Sequence, residues 1–97
     1  MIGVYVRFQF DQALDEQKLR SIAEGARAQF EGMPGLRSKA FTFDSEKREA
    51  VNFYVWHSEE AARNFYSEQV IDRITSLYGV RPSIEFVEIA TLVDNGA

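Results

Sequence analysis

Asn52, Tyr54 and Trp56 alternate along a stretch, Ala50 to His57, that is dense in Val, Phe, Tyr and Trp. Alternate residues of an extended strand project to one face, so the three form a single polar-tipped aromatic stripe. The Asn52 amide and the Trp56 indole can each donate a hydrogen bond. A few convergent donors within apolar walls suit a planar aromatic ligand whose oxygen becomes anionic. Asn52 and Trp56 are therefore the candidate catalytic pair, and Tyr54 and Phe65 the candidate substrate-binding residues. In the competing reading, Tyr54 and Trp56 are packed core and Asn52 bonds backbone or water.

The rest of the chain narrows the chemistry. His57 is the only histidine, and its side chain is expected on the face opposite Trp56, at a strand end or an interface. Without a second histidine, clustered carboxylates or any cysteine, no metal site or thiol nucleophile is expected. Arg7 and Tyr5 share the odd face of the first strand, where the arginine needs a partner such as Glu85 or Glu88. Gly32-Met33-Pro34-Gly35 follows a helical segment and lacks the pattern of a phosphate loop, and no GxSxG, HExxH or GxGxxG occurs. Asp44 to Glu49 mixes charge signs and reads as a solvated turn.

Composition sets the outer limits. The 97 residues hold 11 Lys and Arg against 15 Asp and Glu, a net charge of -4, with the basic residues scattered. No stripe of charge is available to neutralise a phosphate backbone, so nucleic acid is not an expected partner. A hydrophobic share of 45% with 8 Phe predicts a packed globule, and the length allows one core, hence one domain over 1–97. Arg7, Gln9 and Asp11 interrupt the N-terminal apolar residues, and the longest apolar run, Phe53 to Trp56, is far too short for a bilayer. A cytoplasmic protein with no membrane association is the expectation.

The elements that must hold the stripe follow from periodicity. Ile2, Val4, Val6, Phe8 and Phe10 alternate with Gly3, Tyr5, Arg7 and Gln9, which predicts a strand. From Asp15, spacings of three and four through Leu19, Ile22, Ala26 and Phe30 predict an amphipathic helix, stopped at Gly32 to Gly35. A strand over Leu36 to Phe43, a polar turn and a central strand over Ala50 to His57 come next. Ser58 with Glu59 and Glu60 reads as the cap of a second helix, irregular near Ser67 and ended by Gly79. A last strand over Ile84 to Ala90 follows, and Asp94 to Ala97 is expected to be loose.

Six elements in the order β-α-β-β-α-β define an α+β, ferredoxin-like fold with a four-stranded antiparallel sheet. Helices cover one sheet face and leave the other open. An open apolar face calls for a partner, and two sheets packed face to face across a two-fold axis predict a homodimer.

Met33-Pro34-Gly35-Leu36, Lys39, Thr42, Ser45-Glu46-Lys47, Glu49-Ala50, Tyr54, Trp56 and Ser58-Glu59-Glu60-Ala61 together resemble the dimeric α/β-barrel proteins of the small monooxygenase superfamily. The resemblance runs from Val4 to Val93 and is closest to a branch that carries the monooxygenase label. It implies a homodimer whose sheets form a barrel, with a pocket between sheet and helices in each subunit. In the antibiotic-biosynthesis monooxygenases of that superfamily, an Asn and a Trp four residues apart on this strand flank a polycyclic phenol that reacts with O2 without metal or flavin. Asn52 and Trp56 match that spacing. The implied function is a cofactor-independent monooxygenase acting on a quinol or polycyclic phenol, with no cofactor. The alternative is a non-catalytic dimer that binds a small hydrophobic molecule or serves as a stress-related module; a third reading is a structural module that binds nothing, and a cavity beside Trp56, as against one filled by the protein's own side chains, separates it from the other two. Haem-degrading relatives carry a His about ten residues beyond the Trp, where this chain has Tyr66, so the resemblance does not extend to haem degradation.

Overall fold

The strict alternation of the first segment builds β1 (Ile2–Gln9), which buries Ile2, Val4, Val6 and Phe8 on one face. The structure, a computed structural model, describes residues 1–96. The remaining elements are α1 (Glu16–Phe30), β2 (Leu36–Asp44), β3 (Glu49–Trp56), α2 (Glu59–Phe65), α3 (Glu68–Tyr78) and β4 (Ser83–Glu88). The four strands form one antiparallel sheet in the order β2-β3-β1-β4, the ferredoxin-like α+β arrangement. β1 and β3 lie at its centre, as the apolar residues on both faces of β3 predict.

Capping explains where the helices start. The Asp15 carboxylate accepts from the Lys18 N–H at 3.0 Å, and the Ser58 hydroxyl accepts from Ala61 N–H at 3.1 Å. The irregularity expected near Ser67 is a complete restart: α2 ends at Phe65 and Ser67 caps α3 by accepting from Val70 N–H at 3.2 Å. Gly79, in the left-handed region at φ 87°, closes α3.

Register decides which side chains reach the helices. Val6 faces Asn52, Val4 faces Tyr54 and Ile2 faces Trp56 across β1 and β3. On the other side of β3, Phe41 faces Asn52 and Lys39 faces Tyr54, while a bulge between Leu36 and Ser38 brings Leu36 opposite Trp56. The extra residue at the bulge shifts the alternation. Without it Arg37, not Leu36, would stand opposite the indole.

The open face of the sheet carries Tyr5, Arg7, Val51 and Phe53, all half-buried, with the Tyr5 and Phe53 rings 4.7 Å apart. Arg7 pairs with Glu49, Nε to Oε2 at 3.4 Å, rather than with Glu85 or Glu88. Val51 stands opposite Arg7 on β3, so Glu49 is its same-face diagonal neighbour, whereas Glu88 faces Ile2 on the other side of the sheet. His57 falls just beyond β3 and is exposed. Asp94, expected to be loose, is tied to Arg37 by an ion pair of 2.9 Å; Ala97 lies outside the described residues.

Candidate functional site

The stripe lies on the helix-covered face and is sealed from solvent: Asn52 is 3% exposed, Tyr54 1% and Trp56 2%. Both donors find side-chain acceptors. Asn52 Nδ2 donates to the Tyr78 hydroxyl at 3.1 Å, and Trp56 Nε1 donates to the Tyr66 hydroxyl at 3.0 Å. Each end of the stripe thus finds a phenol on the helical layer. The surroundings of the two ends differ.

Trp56 is enclosed by rings. Tyr54 stacks parallel to it at 6.0 Å, Phe65 lies 5.2 Å away, and Tyr66 meets it edge-on at 6.1 Å. Gly35 passes close to the indole as well, since a Cβ there would stand 3.9 Å from Trp56 Cε3 and 2.9 Å from the Ala61 Cβ. The main cavities of the helix-covered face are lined by other residues and not by Trp56. A pocket beside Trp56 is the expectation from sequence, and the structure places the free space elsewhere. The reason is Phe65 and Tyr66, which the helix restart at Ser67 turns onto the ring.

Free space begins at Asn52. A cleft of about 70 Å³ is lined by Phe30, Lys39, Asn52, Tyr54, Phe65 and Tyr78, with Arg73 at its border. It adjoins a groove of about 310 Å³ that shares Phe41, Asn52 and Tyr78 with it. Toward the surface it widens into a crevice of about 410 Å³, where Ile22, Ala26, Gln29 and Leu77 line both spaces. The crevice lies between α1 and α3. α1 buries no residue fully, and packs on the core through the half-buried Leu19, Ile22 and Phe30.

Charge in the cleft is one-sided. Lys39 and Arg73 line it with no Asp or Glu, in a chain of net charge -4. Among the described residues neither cation forms an ion pair. The Lys39 ammonium sits over three rings, 3.4 Å from the centroid of Phe30, 4.1 Å from Phe41 and 4.3 Å from Tyr54. Burial lowers its pKa to about 7, while the negative ring faces favour the charged form. Burial raises the hydroxyl pKa values of Tyr54, Tyr66 and Tyr78. All three stay protonated at neutral pH. Tyr78 accepts from Asn52, which leaves its own proton for an acceptor in the cleft.

Of the residues singled out from sequence, Asn52, Tyr54 and Phe65 line the cleft together, while Trp56 backs Tyr54 and Phe65 from behind. Lys39 and Tyr78 are the additions. Their signal was present: Lys39, Phe41 and Phe43 alternate with Ser38, Ala40 and Thr42, which puts the lysine on the apolar face of β2. Among the described residues no group of three or more His, Asp or Glu is arranged to hold a metal ion, and no helix is long and apolar enough to cross a membrane.

No protein-family model matches this chain, and no curated protein matches it in sequence. Solved structures do match in shape. The monooxygenase ActVA-Orf6 of Streptomyces coelicolor, in complex with nanaomycin D, superposes with a TM-score of 0.72 at 22% identity, covering 98% of this chain and 92% of that one. SnoaB, a cofactor-independent oxygenase from Streptomyces nogalater, gives 0.67 at 17% identity, with 95% of each chain covered. Rv0793 of Mycobacterium tuberculosis gives 0.63 at 16% identity over 98% of each chain. The chain thus has, over nearly its whole length, the fold of the antibiotic-biosynthesis monooxygenase-like proteins.

Proposed function

We propose that this protein is a cofactor-independent monooxygenase that oxidises a quinol or polycyclic phenol in the cleft between β3, α1 and α3. The observation that carries the reading is Asn52, a buried amide donor that stands among aromatic walls on the cleft between β3, α1 and α3. The fold shared with ActVA-Orf6 and SnoaB supports it.

The reaction balances without an outside reductant. A phenol with a free ring position plus O2 gives a quinone plus water: one oxygen atom enters the ring, the other leaves as water, and the ring supplies the electrons. What the protein must do is hold the electron-rich phenolate, exclude water and offer donors to oxygen as charge develops. Asn52 and Tyr78 are those donors. Tyr54 and Phe65 flank the ring, and Trp56 is a positioning residue that holds both through packing. The free cleft is smaller than the roughly 300 to 1,000 Å³ of small-molecule sites, so substrate entry moves α1, the helix that buries nothing fully. One domain over 1–97, paired through the open sheet face into a homodimer, completes the proposal.

Oxygen uptake with hydroxylated naphthalenes and anthrones tests it. Substrate-dependent uptake should fall about 100-fold in Asn52→Ala and less in Trp56→Phe, with folding retained in both. Equal rates in Asn52→Ala and wild type would sink the reading. Ligand-induced thermal stabilisation without oxygen uptake by any phenol would replace it with the non-catalytic binder. Light scattering behind size exclusion checks the dimer, which a monomer at micromolar concentration would refute.

A further inference from the structure

We infer that the cleft takes its phenol as the anion, and that Lys39 is the residue that receives the phenolic proton and then holds the phenolate as its counter-ion. This rests on the phenol-binding reading above and names the base that it lacks.

Position is the first ground. Lys39 stands directly opposite Tyr54 on the neighbouring strand, and its amine reaches over the Phe30, Phe41 and Tyr54 rings on the wall of the cleft. A planar ligand between Asn52 and Phe65 would enter beside that amine. The second ground is the absence of a competing carboxylate. A half-buried lysine is ordinarily matched by an acid, and here the titratable or charged groups facing Lys39 are Tyr54 on β3 and Arg73 and Tyr78 on α3. On α1, Glu24 lines the adjoining groove with Arg20 and not the cleft, and α2 presents only Phe65. The missing anion is the ligand. The third ground is that burial brings the amine to about 7, so it can accept a proton at neutral pH, as a base must. In the transfer the phenolic O–H breaks, an Nζ–H bond forms, and the net charge of the pair is unchanged.

The probe is 4-nitrophenol, whose anion absorbs in the visible and whose neutral form does not. Titration of wild type at pH 8 should show the probe bound as anion with proton uptake approaching one per site, measured calorimetrically in buffers of different ionisation enthalpy. Lys39→Arg should retain anion binding without proton uptake, and Lys39→Met should lose about tenfold in affinity. Retention of the far-ultraviolet circular dichroism spectrum, and rescue by the arginine, separate this from misfolding. Equal affinity in wild type and Lys39→Met, absence of proton uptake in wild type, or no binding by wild type would each overturn the assignment. Failure of oxygen uptake alongside these expected binding results would remove the oxygenase reading and leave Lys39 in its role.

Discussion

The two ends of the β3 stripe use the same device, a buried N–H donated to a tyrosine hydroxyl, in opposite settings. At the Trp56 end the donor, its acceptor and their neighbours are rings in contact, with a glycine turn passing close by. At the Asn52 end, the same kind of hydrogen bond stands on a cleft whose two cations, Lys39 and Arg73, form no ion pair among the described residues. Three residues on one strand face thus divide into a closed anchor and a wall with free space beside it. A buried polar pair can serve either purpose, and the free volume beside it decides which.

The largest effect that would test this division is at the closed end. Trp56→Ala should destabilise the fold by about 3 to 5 kcal/mol, the cost of an unfilled aromatic cavity. Chemical denaturation gives the value directly. A loss below about 1 kcal/mol would mean that the indole is not the anchor, and the contrast between the ends would fail.

Gly35→Ala should be next, at about 1 to 3 kcal/mol. Gly35 has φ 83°, and an added methyl group would meet the Ala61 side chain at 2.9 Å. Both the backbone region and the space exclude a side chain. The predicted signature is a lower thermal midpoint with probe binding at the Asn52 end retained; loss of binding at unchanged stability would show that the two ends are coupled.

Much of this architecture was legible in the sequence, and the parts that were not have identifiable causes. Alternation from Ile2 to Phe8 and the helix ends at Ser58 and Gly79 are local signals, so the order of elements along the chain and an irregularity near Ser67 could be read from neighbours a few residues apart; that Asp15 is a cap and that the helix restarts at Ser67 could not. The Asn52 and Trp56 spacing placed both on one face correctly. It could not show that one would be walled in, because that depends on where Phe65 and Tyr66 land after the chain turns back across the sheet. Lys39 was missed as a chemical group for a related reason. Its alternation with Phe41 and Phe43 fixes a face, but the bulge at Arg37 breaks the count from Leu36, and the want of a carboxylate partner appears only in three dimensions.

A smaller effect belongs to the open end and depends on pH. The folded state holds Lys39 near 7, whereas an unfolded lysine titrates near 10.4. Between those values the unfolded chain binds the extra proton, so this group makes stability rise with pH across that window. Lys39→Met removes the burden of a desolvated charge. It should therefore be more stable than wild type by on the order of 1 to 2 kcal/mol at pH 6, with the gap narrowing toward pH 9. Urea midpoints at four pH values measure it, and a gap that widens with pH would reverse the assignment.

The smallest effect tests whether α1 is the moving wall. Gly25 lies inside α1 at the mouth of the crevice, and a methyl group there would find nothing within 4 Å. Gly25→Ala should raise stability by about 0.5 to 1 kcal/mol, since glycine loses more backbone freedom than alanine on entering a helix. That gain belongs to the free protein. If α1 shifts to admit a planar ligand, the same methyl group enters the space shared with Leu77, and affinity for a two-ring phenol should fall while affinity for 4-nitrophenol stays unchanged. Equal affinity for both ligands in Gly25→Ala and wild type would show that the ligand enters from the groove at Phe41 and that α1 stays in place.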